Sequence, residues 1–189
     1  MFRLSLLKKY VNRDLLIQAL KTYDAPGDEQ LFKVRFLELL AHPQAYHRNH
    51  LPGHITGSAW IIDQSKKYVL LTHHAKLNKW LQPGGHADGD ENILNVSLRE
   101  AVEETGLNDF KLLHDGIFDL DIHPIPARKE FPDHLHYDIR FLFEADKDIP
   151  LLISEESHAL SWVALEQLEE LTDGNASILR MAEKLRVKS

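Results

Sequence analysis

Glu100, Glu103 and Glu104 fall within five residues of one another in the stretch LREAVEETG. On a helix, 100° per residue gathers these three carboxylates into one narrow arc. Like charges at that spacing repel by roughly 0.2–0.5 kcal/mol per pair. Arg99, four residues before Glu103, is at pairing distance and offsets part of the repulsion. A divalent cation would offset the rest. Mg²⁺ prefers oxygen ligands in octahedral geometry and often bridges carboxylates to substrate phosphates. A solvated acidic face accounts poorly for a cluster that follows the turn Pro83-Gly84-Gly85. Such a turn lets the backbone approach a ligand closely and adopt positive φ.

The elements that must position these residues can be read from periodicity. NILNVSLREAVEETG reads as a helix with Gly106 as its C-terminal cap, and Leu94, Leu98, Ala101 and Val102 are free to pack inward. WLQPGGHADGD before it reads as a loop. ITGSAWIID and KYVLLTHH read as strands, as do segments of FKLLHDGIFDLDIHPI and HYDIRFLFEA. PIPARKEFPDH, rich in proline and charge, reads as an exposed loop. SHALSWVALEQLEELT predicts a short strand running into a helix, and NASILRMAEKLRV a final helix. Upstream, LSLLKKYVNRDLLIQALKTY repeats its apolar residues at helical steps, DAPGD breaks the pattern, and EQLFKVRFLELLAHP gives a second helix that stops near Pro43. These readings divide the chain into a helical extension over residues 1–48, acting as a lid or a dimerisation element, and an α/β domain over residues 49–189.

The bulk composition bounds the function. The 189 residues suffice for one domain with a sizeable core, and 43% hydrophobic with 27% charged residues is a soluble globular balance. No apolar run is long enough to span a bilayer. The mildly basic, amphipathic first 23 residues contain Asp14 and little serine, so they read as a structural helix and not as a transit peptide. The absence of cysteine removes disulfides, thiolate metal sites and cysteine nucleophiles, and fits a cytoplasmic location. A formal net charge of −7 argues against a stable nucleic-acid complex.

The spacing Gly85, Glu91, Arg99, Glu100, Ala101, Glu103, Glu104, Gly106, Leu107 resembles the Nudix box, with every specified position filled. Nine specified positions over 23 residues make a specific motif. The resemblance implies a Nudix-type α/β/α sandwich with a mixed sheet. It implies hydrolysis of a diphosphate linkage in a nucleoside diphosphate joined to another moiety. It also implies Mg²⁺ or Mn²⁺ held by Glu100, Glu103, Glu104 and the Gly85 carbonyl, with Arg99 steadying a box glutamate and Glu91 fixing the start of the helix. The general base implied is a box glutamate or a later carboxylate, for which Glu156, with Glu155 beside it, is the candidate. Asp88, Asp90 and Asn92 begin like an EF-hand loop, but Ile93 and Arg99 occupy its glycine and glutamate positions.

Other residues are candidates for the substrate. Gly84, Gly85 and His86 adjoin the box, and Lys79 and Lys76 lie close enough to steer an anion. His134, His136 and Asp138 alternate in HLHYD and share a face of a strand; they read as substrate contacts more than as a metal site. His73 and His74 close a strand. Trp80 and Trp162 read as packing residues, and Arg128 and Lys129 could reach an anion from the long loop. The expected partner is a small nucleotide or other diphosphate. A non-catalytic nucleotide sensor of the same fold is the rival function, distinguished by whether the chain turns substrate over. An isopentenyl diphosphate isomerase is disfavoured by the missing cysteine.

Overall fold

The computed structural model describes residues 10–114, 116–128, 131–155 and 157–187, with the side chain of Val187 left out. The first helix, α1 (Arg13–Thr22), starts later than the apolar repeat suggests. Asn12 caps it by accepting a hydrogen bond from the Leu15 backbone N–H at 3.0 Å, because an Asn side chain at that point competes for the first turn. Residues 4–9 of the expected helix lie outside the described residues. The second helix, α2 (Glu29–Leu40), ends before Pro43 as expected.

Among the described residues eight strands follow: β1 (Gly53–Ile62), β2 (Tyr68–His74), β3 (Lys79–Leu81), β4 (Gly84–His86), β5 (Lys111–Leu112), β6 (Asp119–Ile125), β7 (His134–Glu144) and β8 (Ser157–Ala164). The helix α3 (Ile93–Thr105) lies between β4 and β5, and α4 (Leu168–Leu171) and α5 (Ala176–Val187) close the chain. The stretch expected to be a plain loop, WLQPGGHADGD, thus contains most of β3 and all of β4, which pairs antiparallel with β1. Its glycines have no side chains to show an alternation, which hid β4 from the sequence pattern.

The sheet is mixed and curled. β1 pairs parallel with β7 over ten residues, and among the described residues every other strand pairing is antiparallel. Alternation along β1 explains the layers. Ile55, Ala59 and Ile61 enter one core cluster with Leu94, Val96 and Ala101 of α3 and with Leu16, Leu20, Phe36 and Leu40 of α1 and α2. Trp60 and Ile62 enter a second cluster with Ile178, Met181 and Ala182 of α5. The chain is therefore an α/β/α sandwich, the fold class read from the sequence. The two N-terminal helices share the first core cluster. Among the described residues, no helix is long and apolar enough to cross a membrane.

Polar residues also share the α5 face. The register sets His54 beside His136, Thr56 beside Asp138 and Ser58 beside Arg140, with β6 adding His123, Asp121 and Asp119 in matching order. Arg140 is buried and donates to Asp138 (2.8 Å), Asp119 (3.1 Å), Asp121 (3.1 Å) and Ser177 Oγ (2.5 Å). Arg180 of α5 binds Asp119 and Asp121, Lys184 binds Asp119, and both reach Glu29 at the start of α2. This ionic network fastens α5 and α2 to the sheet. Burial opposes ionisation of Asp121, but His123, Arg140 and Arg180 outweigh it and hold the carboxyl below its usual range.

Candidate active site

The helix α3 begins where Asn92 accepts from the Asn95 N–H and ends at Gly106, whose φ of 73° needs no Cβ to accommodate. Its apolar side is buried, so its acidic side turns toward β4. Among the described residues, that strand pairs with β1 along one edge only. The Gly84 N–H donates to Glu104 Oε1 at 2.8 Å, and the His86 carbonyl accepts from Arg99 Nη2 at 2.8 Å. Both groups belong to the edge of β4 that faces α3.

The three glutamates differ in exposure. Glu104 is 7% exposed, the Glu100 side chain 15% and the Glu103 side chain 61%. Arg99 pairs with Glu100 at 2.7 Å and approaches Glu103 at 3.9 Å. Burial works against the Arg99 charge, yet Glu100, Glu103 and Asp88 together raise its pKa. A Cβ placed on Gly85 would lie 2.5 Å from the Glu100 carboxyl carbon. The absence of a side chain at Gly85 is what admits Glu100 against the strand. In an antiparallel pair, backbone polar groups alternate sides residue by residue. The Gly84 and His86 groups face α3, so the Gly85 carbonyl, the expected ligand, is turned toward β1. On this edge the carbonyl on the glutamates' side is that of Gly84.

The loop leading to the helix is held from upstream. Arg48 forms a bidentate pair with Asp88, and the Gly89 N–H donates to the Tyr46 carbonyl at 2.9 Å. Glu91 accepts from the backbone and side chain of Arg13 at 3.0 and 3.2 Å, tying the start of α3 to the start of α1. Sequence reasoning missed Arg13 and Arg48 because nothing local links them to a box some 40 to 80 residues away.

The histidines gather on the opposite face of β4. His54 (β1), His86 (β4) and His136 (β7) approach so that one ring nitrogen from each lies within 4.8 Å of the others. His134 stacks on His54 at 5.0 Å and 27°, and His123 meets His136 edge-on at 5.6 Å. Burial pushes the pKa of His54 and of His86 down to about 4, and neighbouring histidines add to the effect. Burial likewise drives His136 far below its ordinary value. His54 was not read from the sequence. The signal was present in GHITGS, where His54, Thr56 and Ser58 alternate with small or apolar residues on a strand. Asp138 stands apart from the cluster, since it accepts from Thr56, Ser58, Gln82 and Arg140.

The remaining candidates fall elsewhere. Lys79 is exposed, and Trp80 stacks on His73 at 5.1 Å. Both line a cleft of about 470 Å³ with Asn78, Thr172, Asp173 and Asn175, and no box glutamate lines it. His74 holds the turn after β2 by accepting from the Lys76 N–H at 3.2 Å. Trp162 packs against the core cluster shared with α3. Lys76, Arg128 and Glu155 are exposed. Glu156 and Lys129 lie outside the described residues. The Leu152 N–H donates to the Thr105 carbonyl at 2.9 Å, which seats the loop carrying Glu155 at the C-terminal end of α3.

A model of the NUDIX domain family matches residues 53–185. The rat bis(5'-nucleosyl)-tetraphosphatase [asymmetrical] is 30% identical over 106 residues, covering 56% of this chain and 69% of that protein. An m7GpppN-mRNA hydrolase of Danio rerio is 42% identical over 57 residues, covering 28% of this chain, and the match spans only 19% of that protein's length. Among solved structures, a NUDIX family hydrolase from Clostridium perfringens is 27% identical with a TM-score of 0.54, covering 72% of this chain and 98% of that one.

Proposed function

This chain belongs to the Nudix superfamily of hydrolases, and on that premise we propose that it hydrolyses a diphosphate linkage joining a nucleoside to another group. The observation that carries the reading is the seating of Glu104 and Glu100 against β4, with Glu103 beside them on α3 and Arg99 between the carboxylates. The donors there are carboxylate oxygens beside a strand edge with no side chain at Gly85, a set suited to a hard cation. Mg²⁺ or Mn²⁺ held by Glu100, Glu103 and Glu104 would neutralise the diphosphate charge and lower the pKa of a bound water.

The chain's own residues prepare the site. Arg99 holds the Glu100 carboxylate at 2.7 Å and is itself anchored by the His86 carbonyl. The Gly84 N–H fixes Glu104, so two of the three carboxylates are set before a ligand arrives. The proton of the attacking water goes to a carboxylate within hydrogen-bond reach. Glu103, the most exposed of the three, and Glu156, the later carboxylate named from the sequence, are the candidates. The two relatives' names both describe a nucleoside carried on a run of phosphates, which supports a polyphosphate-linked nucleoside as the substrate class.

The test is turnover of a panel of dinucleoside polyphosphates, nucleoside diphosphate sugars, capped RNA and nucleoside triphosphates, with Mg²⁺ and then Mn²⁺. Glu104→Gln is the control, since its amide oxygen can still accept from Gly84 while the charge is lost. Turnover of one class, abolished in the variant, supports the hydrolase. Metal-dependent binding without turnover of any compound would replace it with the sensor reading.

A further inference from the structure

We propose that His54, His86 and His136 form a second metal site, separate from the glutamates and specific for a borderline transition ion such as Zn²⁺. The three residues come from three adjacent strands of one sheet, β7, β1 and β4. The register puts His54 directly beside His136, and His86 one step along on the other side of β1, against Thr56. Alternation directs all three side chains to the same face. Their ligand atoms lie within 4.8 Å of one another. Tetrahedral coordination with Zn–N bonds of about 2.0–2.1 Å needs nitrogens roughly 3.3 Å apart. Modest ring rotations close that gap, because the backbones are already fixed by the sheet.

Two observations point to a ligand and not to a packed histidine cluster. The Nε2 atoms of His54 and His136 are buried and have no hydrogen-bond partner among the described residues. A buried ring nitrogen in that condition is costly unless something binds it. His54 also makes the contact that orients a metal-binding imidazole. Its Nδ1 lies 3.4 Å from the His50 carbonyl, and a carbonyl only accepts, so Nδ1 carries the proton and Nε2 keeps its lone pair. Around the triad, His134 stacks on His54 and His123 contacts His136, with Asp121 bound to His123 at 2.9 Å.

The ligand set separates this site chemically from the first. Three neutral imidazoles suit Zn²⁺, Co²⁺, Ni²⁺ or Cu²⁺, and carboxylates suit Mg²⁺. Three protein ligands leave a fourth position open, as in zinc sites that bind water or an exogenous ligand. His86 follows Gly85 in the chain, and its carbonyl anchors Arg99. The proposed ion therefore sits one strand thickness from the glutamate edge.

The metal-free full chain is titrated with Zn²⁺ by calorimetry, and with Co²⁺ by visible absorption, in millimolar Mg²⁺ to occupy the carboxylates. The expected result is one Zn²⁺ per chain, and intense visible bands for Co²⁺ in a low-coordinate nitrogen site. His54→Gln and His136→Gln should each weaken Zn²⁺ binding by more than about 100-fold, beyond the range of outer-shell changes. Glu103→Gln and Glu104→Gln should leave it unchanged. Because a variant can fail to fold, ¹⁵N-labelled imidazole spectra of the wild type are recorded as well; Zn²⁺ should shift the Nε2 resonances of His54 and His136 together at one equivalent. Failure of Zn²⁺ to bind in millimolar Mg²⁺, binding lost in the glutamate variants, or unshifted histidine resonances would each overturn the assignment.

Discussion

Gly84 and Gly85 are neighbours in one short strand, yet replacing each with alanine should do different damage. At Gly85 the three atoms nearest to an added Cβ all belong to the Glu100 carboxyl group, at 2.5, 2.5 and 2.7 Å. Ordinary contact begins near 3.4 Å, so Gly85→Ala must push the end of one flexible side chain by roughly 1 Å. The Arg99–Glu100 pair, part exposed, would be strained or lost, at a stability cost of about 1 kcal/mol or less. That corresponds to a fall in Tm of about 2–4 °C for a chain of this size. A displacement of about 1 Å in a positioned group lowers turnover about 100-fold. At Gly84 the obstacles are the Ser58 side chain and its Cα, the latter at 2.8 Å. Backbone cannot move aside so easily, and overpacking of this kind costs about 1–3 kcal/mol. Gly84→Ala should therefore lower Tm by about 2–12 °C. The assay pairs thermal unfolding with kcat/KM on the compound that the substrate panel identifies. A Gly85→Ala protein that keeps turnover within a few-fold of wild type, or whose Tm falls by well over about 4 °C, would refute the claim that Gly85 is kept bare for Glu100.

Two further outcomes follow from the polar face of the sheet. Arg140→Met removes a cation that binds three buried aspartates; Asp119 and Asp121 keep Arg180, so the loss should fall at the low end of the buried-pair range, about 3 kcal/mol in urea unfolding, and a loss below about 1 kcal/mol would contradict the role given to the network. In metal-free protein, stability should decline as pH falls from about 6.5 to about 4, because the unfolded chain takes up protons that buried His54 and His86 refuse until their pKa near 4. The aspartates of the network, with pKa values held low, lose their contribution only below that window. His54→Gln should flatten the slope between pH 6.5 and 4, and an unchanged slope would count against a neutral buried ring.

What could be read in the sequence was what local chemistry dictates. The glutamates announced themselves because helical periodicity converts spacing into a shared face without help from the rest of the chain. Gly106 as a cap and the strands ITGSAWIID and KYVLLTHH were legible for the same reason, since each depends on near neighbours. Tertiary structure alone decided the rest. Whether Glu100 could lie against β4 depended on a missing Cβ at Gly85 in a strand with no alternation to reveal it. Arg13 and Arg48 support the box loop across 78 and 40 residues of sequence. His54 met His136 because β1 pairs parallel with β7, and parallel strands are joined by long connections that leave no local trace of the register. Spacing along the chain specifies a face, whereas the pairing of distant strands specifies which faces meet, and that pairing is set by the burial of the whole sheet between its two helical layers.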